Sequence, residues 1–121
     1  MIIKRGEIHL ASLDPAVGRE ISKTRPVVII SNDINNRFFG AITVLPITSK
    51  NLTKIYPFEV KLPKGAGNLP KDSKVKADQI RTLDKRRIIK TIGILDDESM
   101  ARIETALKIH LGIEKTADYD T

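Results

Sequence analysis

The sequence predicts a small, mainly β protein in which an antiparallel sheet or barrel is followed by one C-terminal helix. Short segments with strand patterns recur at close, regular spacing, and turn residues separate them. Helical spacing of apolar residues appears only in the last third of the chain. The length of 121 residues suits one domain, which we expect to occupy residues 1–113, followed by a frayed tail over residues 114–121.

The predicted strands are recognised by two patterns. Residues 58–62 alternate in period two, as a half-buried strand does, whereas residues 27–30 are β-branched throughout, as in a strand covered on both faces. Pro26 suits the first position of the second strand, because it lacks an N–H group. The predicted strands cover residues 7–13, 26–32, 41–48, 57–62, 73–80 and 88–94. Turn residues predict loops at residues 14–15, 35–36 and 63–70.

The C-terminal helix has clear start and stop signals. Asp96 is the expected N-cap, and the acidic residues that follow it suit the positive end of the helix dipole. Apolar residues recur at helical spacing from Met100 to Leu111, and Gly112 is the expected stop.

Composition and charge limit the possible functions. The net charge of +6 and the pI of about 9.7 favour an anionic partner, and nucleic acid more than a membrane surface. The chain has no cysteine, which excludes disulfides and thiolate chemistry. No apolar run approaches the roughly 18 residues of a membrane span, and no signal peptide is apparent at the start. We therefore expect a cytoplasmic protein without a membrane partner.

No motif for a metal or another cofactor is present. The two histidines, His9 and His110, have no spacing that resembles a zinc site, and there is no phosphate-binding glycine loop. If the anionic partner is RNA and is cut, one economical route remains. The ribose 2′-hydroxyl attacks the neighbouring phosphorus, so the protein needs only to position groups, transfer protons and stabilise charge.

Three predicted strand ends carry polar groups suited to a phosphodiester. Arg25 precedes the buried run, and a guanidinium binds phosphate oxygens in bidentate fashion. Thr48 ends the third strand and could donate a hydrogen bond to phosphate, and Asp78 could accept a proton. The alternatives are a solvated loop arginine for Arg25 and strand-end or turn roles for Thr48 and Asp78.

An ordered set of short blocks resembles the MazF/PemK (Kid) toxins. The blocks fall in the family's order across nearly all of residues 4–113: Arg5-Gly6-Glu7-Ile8, Leu13-Asp14-Pro15, Gly18-x-Glu20, Arg25-Pro26-Val27, Asn32-Asp33, Asn36-Arg37, Pro46-Ile47-Thr48-Ser49, residues 78–87 and Leu95-Asp96-Asp97. The resemblance implies a CcdB-like, SH3-like small barrel with a terminal helix, forming a homodimer. It also implies a metal-independent, sequence-specific endoribonuclease acting on single-stranded RNA, inhibited by a MazE-type antitoxin with an acidic tail.

The resemblance also assigns site residues. Arg25 and Thr48 fall on the family's catalytic arginine and threonine, and Asp78 falls on the aspartate of the Kid branch. Lys76 stands where that branch has an arginine, and Arg19 where it has a histidine. These departures favour Arg25 and Thr48 as the active pair, with Asp78 secondary. The residues expected to bind RNA are Arg19, Glu20, Lys23, Ser49, Lys76, Gln79 and Arg81.

Two other functions are compatible with this fold. A CcdB-like protein would poison DNA gyrase, but that action depends on a C-terminal tryptophan, and this chain has none. A catalytically silent RNA-binding homologue is the other alternative. The presence of Arg25, Thr48 and Asp78 together argues against it. The loop before Arg25 has fewer glycines than is usual and carries Lys23, so its RNA sequence preference is expected to differ from that of better-known relatives.

Overall fold

The computed structural model describes residues 2–115, which form a mainly antiparallel β fold with a C-terminal helix. The elements are β1 (Glu7–Ser12), β2 (Thr24–Ile29), α1 (Asp33–Phe38), β3 (Ala41–Thr48), β4 (Glu59–Leu62), β5 (Ser73–Lys76), β6 (Arg81–Asp84), β7 (Ile88–Ile94) and α2 (Asp97–His110). The strands form one sheet in the order β4-β5-β3-β2-β1-β7, and β6 also pairs with β3. The sheet is barrel-like but not closed, and the predicted fold class is confirmed.

β3 changes its partner along its length. On one side it pairs with β2, and on the other it pairs first with β6, through residues 41–44, and then with β5, through Ile47 and Thr48. The 3₁₀ turn Ala77–Gln79 carries the chain from β5 to β6 beside this change of partner. The turn residues Asp78 and Gln79 are thereby placed next to the C-terminal half of β3.

The apolar core lies on both faces of β2. Val27 and Ile29 pack in one cluster with residues such as Val44, whereas Val28 belongs to a second cluster that includes Ile103 of α2. The three β2 residues are fully buried, which confirms the prediction of a strand covered on both faces. The start of β2 is consequently held by packing on two sides.

Several predicted boundaries were wrong. The second strand begins at Thr24 instead of Pro26 and ends at Ile29, and the fourth begins at Glu59 instead of residue 57. The predicted strand at 73–80 is two elements, because β5 ends at Lys76 and the 3₁₀ turn follows. β6 was not predicted: its four residues bury only Leu83 and give almost no apolar signal.

α1 was not predicted either, since residues 35–36 were expected to form a loop. Asn32 caps this helix by accepting a hydrogen bond from the Asn35 N–H at 2.8 Å. The buried Asn36 donates from Nδ2 to the Ser31 carbonyl at 2.8 Å. Asparagine suits both turns and helix caps, so its presence alone does not distinguish a loop from a short capped helix.

The boundaries of the C-terminal helix were predicted correctly. The Asp96 carboxylate accepts a hydrogen bond from the Ser99 N–H at 2.8 Å, and Gly112 adopts φ +75° two residues after the helix ends. Residues 116–121 of the expected tail lie outside the described residues. Between residues 2 and 115, no helix has both the length and the apolar character needed to cross a membrane.

Candidate functional site

The strand register brings Arg25 and Thr48 together. β2 and β3 are antiparallel, and Val27 stands opposite Pro46. Extending this register by two residues places Arg25 opposite Thr48, and on the other side of β3 Thr48 is paired with Lys74. Since directly opposite residues share one face of a sheet, Arg25, Thr48 and Lys74 form a row across three strands.

A cleft of about 270 Å³ lies at this row, and we call it the first cleft. Arg25 and Thr48 both line it, as do Lys74, Lys76 and Gln79. The remaining lining residues are Arg19, Glu20, Ile21, Ser22, Lys50 and Asn51. Five cations line the cleft against the single carboxylate of Glu20, so its field favours an anionic ligand.

The guanidinium of Arg25 is anchored at one atom only. Its Nε donates a hydrogen bond to the Ser22 carbonyl at 3.2 Å. Neither Nη atom has a hydrogen-bond partner within residues 2–115. One anchored nitrogen fixes the direction of the side chain, while the two outer nitrogens remain available for bidentate contact with phosphate.

The hydroxyl of Thr48 acts as an acceptor inside the protein. Thr48 Oγ1 accepts a hydrogen bond from the Lys50 N–H at 3.2 Å, at the turn that follows β3. A hydroxyl has one donor and two acceptor sites. The Thr48 proton is consequently available to a ligand oxygen in the first cleft.

Asp78 lines a neighbouring cleft instead of the first one. This second cleft has a volume of about 300 Å³ and shares Arg19, Glu20, Ile21 and Gln79 with the first. Asp78 Oδ1 is buried without a hydrogen-bond partner, and the closest cation to it is Lys76 Nζ at 3.8 Å. The structure therefore separates Asp78 from the Arg25–Thr48 pair but links it to the first cleft through Lys76.

The segment between β1 and β2, residues 13–23, forms one wall of both clefts, and we call it the loop wall. Gln79 holds it with both ends of its amide: Oε1 accepts from the Ile21 N–H at 3.2 Å, and Nε2 donates to the Arg19 carbonyl at 3.3 Å. Arg81 Nη1 donates to the Leu13 carbonyl at 2.7 Å. Gln79 and Arg81, both expected to bind RNA, thus also support the backbone of the loop wall.

The opposite side of the first cleft rests on three charged residues, Glu59, Lys74 and Lys76, which we call the charged floor. Glu59 Oε1 lies 3.0 Å from Lys74 Nζ, and Oε2 lies 3.0 Å from Lys76 Nζ. Lys74 Nζ also donates to the carbonyls of Asn51, at 2.9 Å, and Lys54, at 3.2 Å. The floor therefore ties β4 and β5 to the segment that follows Thr48.

Glu59 keeps its charge although it is buried. Burial by itself raises the pKa of its carboxyl, but the Tyr56 N–H and the two lysines stabilise the carboxylate more strongly. The net effect is a pKa below the ordinary value of 4.5. A carboxylate in this place is expected to remain ionised at neutral pH.

Two of the residues expected to bind RNA lie apart from the clefts. Ser49 lines a smaller cavity of about 190 Å³, although Arg25 also contributes to that cavity. Lys23 lines neither cleft, and its backbone closes the loop wall by donating from N to Asp14 Oδ1 at 2.9 Å. Its φ of 69° lies in the left-handed region, which a lysine rarely adopts.

Sequence reasoning missed other residues of the site. Ser22, Lys50, Asn51 and Lys74 line the first cleft, and Glu59 lies beneath it. The alternation of Lys74 with Lys76 indicates one shared face of β5, but Glu59 becomes part of the site only through the pairing of β4 with β5. Within residues 2–115 there is no cluster of three histidine, aspartate or glutamate side chains placed to hold a metal ion.

Comparison with known proteins identifies the family. A family model described as the PemK-like, MazF-like toxin of type II toxin-antitoxin systems matches residues 4–111. The chain belongs to this family. The match covers the row of Arg25 and Thr48, both clefts and the charged floor.

Individual relatives of the MazF family agree with this assignment. The chain is 40% identical to Endoribonuclease MazF9 of Mycobacterium tuberculosis over 93% of this chain and 98% of the relative. A crystal structure of MazF from Deinococcus radiodurans superposes with a TM-score of 0.80 at 29% identity, covering 93% of this chain and 98% of that one. A MazE-MazF structure from the same organism gives a TM-score of 0.67 at 31% identity, with the same coverage of both chains.

Proposed function

We propose that this protein is the endoribonuclease toxin of a type II toxin–antitoxin system and that it cleaves single-stranded RNA in the first cleft. The observation that carries the proposal is the Arg25 guanidinium, whose two outer nitrogens are available beside the Thr48 hydroxyl in a cleft lined by five cations. The similarity to MazF9, which is named an endoribonuclease, supports the same activity. The gyrase-poison alternative is not favoured, because the matching family model is that of MazF-like toxins.

The proposed reaction uses the substrate's own nucleophile. The ribose 2′-oxygen forms a bond to the adjacent phosphorus while the bond from phosphorus to the 5′-oxygen breaks. The 2′-hydroxyl loses its proton and the leaving 5′-oxygen gains one, which gives 2′,3′-cyclic phosphate and 5′-hydroxyl ends. Arg25 stabilises the charge on the non-bridging oxygens, and Thr48 donates a hydrogen bond to one of them.

Asp78 has a secondary role in this proposal. Its buried oxygen has no donor, and Lys76 connects it electrostatically to the first cleft. An ionised carboxylate accepts protons but donates none. Asp78 therefore suits proton acceptance through an intervening group more than direct contact with phosphate.

The RNA strand is proposed to run along both clefts. Cationic side chains neutralise phosphates, and amide, hydroxyl and carboxylate groups contact unstacked base edges, as is usual in recognition of single-stranded RNA. The residues proposed for these contacts are Arg19, Glu20, Lys23, Ser49, Lys76, Gln79 and Arg81. Ser49 and Lys23 line neither cleft and would contact flanking nucleotides.

The mechanism is tested by the chemistry of the cut. Total RNA is digested first, and a cut site is mapped by sequencing the ends. An oligonucleotide built around that site should be cleaved in excess EDTA to give a 2′,3′-cyclic phosphate. Replacing only the ribose 5′ of the cut with 2′-deoxyribose should stop cleavage with little loss of binding. Cleavage of the substituted oligonucleotide at the same bond would refute the mechanism, as would inhibition by EDTA.

The proposed partners are a second copy of this chain and a MazE-type antitoxin, in the cytoplasm. MazE–MazF pairing in the D. radiodurans relative and the basic first cleft support an acidic antitoxin segment. Such a segment should compete with the uncleavable 2′-deoxy oligonucleotide for the dimer. Simultaneous saturation of the protein with both ligands would contradict this mode of inhibition.

A further inference from the structure

Glu59 is a buried carboxylate that the proposed mechanism does not use. Its side chain is 1% exposed, and each of its two oxygens contacts one lysine ammonium at 3.0 Å. Oε1 also accepts a hydrogen bond from the Tyr56 N–H at 3.0 Å. Burying a charge is costly, so a carboxylate that holds two lysines at this depth is expected to have a purpose beyond stability.

The two lysines it holds differ in what remains available to a ligand. Lys74 Nζ is surrounded by three acceptors, namely the carbonyls of Asn51 and Lys54 and the Glu59 carboxylate, and its side chain is only 4% exposed. An ammonium has three donors, so that of Lys74 is fully used. Lys76 Nζ makes one hydrogen bond, to Glu59, lies 3.8 Å from Asp78 Oδ1 and is 23% exposed.

Lys76 is therefore the member of the charged floor that can contact RNA. It lines the first cleft together with Arg25 and Thr48, whereas Glu59 lines neither of the two clefts. A lysine side chain is long and flexible, and fixing it in one place is entropically costly. The hydrogen bond from Lys76 Nζ to Glu59 restricts this freedom, and it does so without occupying the cleft, which Glu59 does not line.

From this arrangement we propose that Glu59 is a positioning residue, which acts on RNA through Lys76. It directs the Lys76 ammonium into the first cleft as a phosphate contact, and it separates that ammonium from the buried Lys74. The proposal rests on the endoribonuclease function proposed above. Without the Glu59 charge, no carboxylate stands between the two ammonium groups, and their repulsion moves Lys76 out of its position.

The sign of the effect on RNA affinity provides the sharpest test. Removing a negative charge from a protein normally strengthens its binding to a polyanion. A matched control is Glu104→Gln, which removes the same charge from an exposed residue on α2 that pairs with Arg5. Glu104→Gln should bind the 2′-deoxy oligonucleotide as tightly as wild type or more tightly, whereas Glu59→Gln should bind it about 10-fold or more weakly.

A double-mutant cycle tests whether Glu59 acts through Lys76. Lys76→Met and Glu59→Gln should each lower kcat/KM for the intact oligonucleotide by on the order of 10- to 100-fold, since a misplaced contact has effects of this size. Each should also lower the log–log slope of binding against salt by about 0.7, which is the value for one phosphate of a single strand. The double variant should be no worse than either single variant, because both remove the same contact.

Two results would overturn the proposal. The first is a loss of kcat/KM in the double variant that equals the product of the two single losses. The second is equal affinity of Glu59→Gln and Glu104→Gln for the 2′-deoxy oligonucleotide. Urea unfolding of each variant checks the fold. If Glu59→Gln does not fold, Glu59→Asp keeps the charge but is too short to contact both lysines, and its loss should likewise vanish in the Lys76→Met background. Failure of the wild type to cut RNA at all would refute the proposed function instead.

Discussion

The loop wall and the charged floor enclose the same cleft but are held in place by different forces. The loop wall is fixed by neutral backbone groups, which accept from or donate to Gln79, Arg81 and Arg25. The charged floor is a buried network of one carboxylate and two ammonium groups. Losing one of these bonds leaves at most a neutral backbone group without its partner, whereas one missing partner in a buried charge network leaves an uncompensated charge. The difference indicates that losing one partner costs the floor more stability than it costs the wall, and that the wall can adjust to a ligand.

Lys74→Ala should cause the largest loss of stability, because it removes one partner of the charged floor. Removing one partner of a buried ion pair typically destabilises a protein by roughly 3–5 kcal/mol, and here the Asn51 and Lys54 carbonyls also lose their donor. We expect a loss of this size in the free energy of unfolding, measured with urea. Lys61→Ala is the control, since Lys61 pairs with Lys74 across the strands but is exposed. Equal losses in the two variants would show that the floor is not a stability element.

Arg25→Ala should leave the fold intact and abolish cleavage. Loss of one donor to the transition-state charge typically reduces the rate by about 10²–10³. Arg25→Lys should also be impaired, because an ammonium cannot replace the planar fork. Single-turnover cleavage beside circular dichroism is the measurement, and a folded Arg25→Ala variant that cuts at near wild-type rates would remove Arg25 from the proposed catalytic pair.

Not all of this site could have been predicted from sequence. The positions of Arg25 and Thr48 at strand ends follow from local patterns, but their opposition depends on the β2–β3 register, which no local pattern encodes. Glu59 and Lys74 meet only because β4 pairs with β5. Nothing in the sequence around Glu59 distinguishes it from an ordinary solvent-facing residue of an alternating strand.

The fold shows the same limit in its short elements. β2 and α2 were predicted because their apolar residues are buried in clear patterns, with caps at both ends of α2. β6 was missed because three of its four residues are not buried. It exists because β3 presents an unpaired edge at residues 41–44, which is a property of the assembled sheet.

Gln79→Ala should weaken the loop wall without the large stability loss expected of the floor. It removes two hydrogen bonds, and the net contribution of each is about 0.5–1.5 kcal/mol. We expect roughly 10-fold weaker binding of the 2′-deoxy oligonucleotide and a loss in unfolding free energy well below that of Lys74→Ala. Gln79→Glu is the matched variant, because it retains the acceptor for the Ile21 N–H but loses the donor to Arg19. The negative charge that it adds to the cleft should by itself weaken RNA binding, so this variant is compared in unfolding free energy, where it should lose less than Gln79→Ala. If Gln79→Ala is instead as unstable as Lys74→Ala, losing a partner costs the loop wall as much stability as it costs the charged floor.

The pH dependence of stability should show the smallest effect and isolate Glu59 itself. Its pKa is lowered in the folded state, since the Tyr56 N–H, Lys74 and Lys76 together outweigh burial. The unfolded chain therefore binds the proton more readily than the folded protein does. The stabilisation is complete above the ordinary value of 4.5 and is lost as the pH falls through the lowered pKa.

Asp84 and Asp96 also have lowered pKa values, so acid unfolding of the wild type alone does not isolate Glu59. The difference in urea midpoint between wild type and Glu59→Gln removes their contribution, because both proteins retain them. This difference should be constant at neutral pH and should shrink on acidification below 4.5. A difference that stays constant in acid would mean that the Glu59 charge adds nothing to the stability of the floor, and that the lysines are held there by the backbone carbonyls alone.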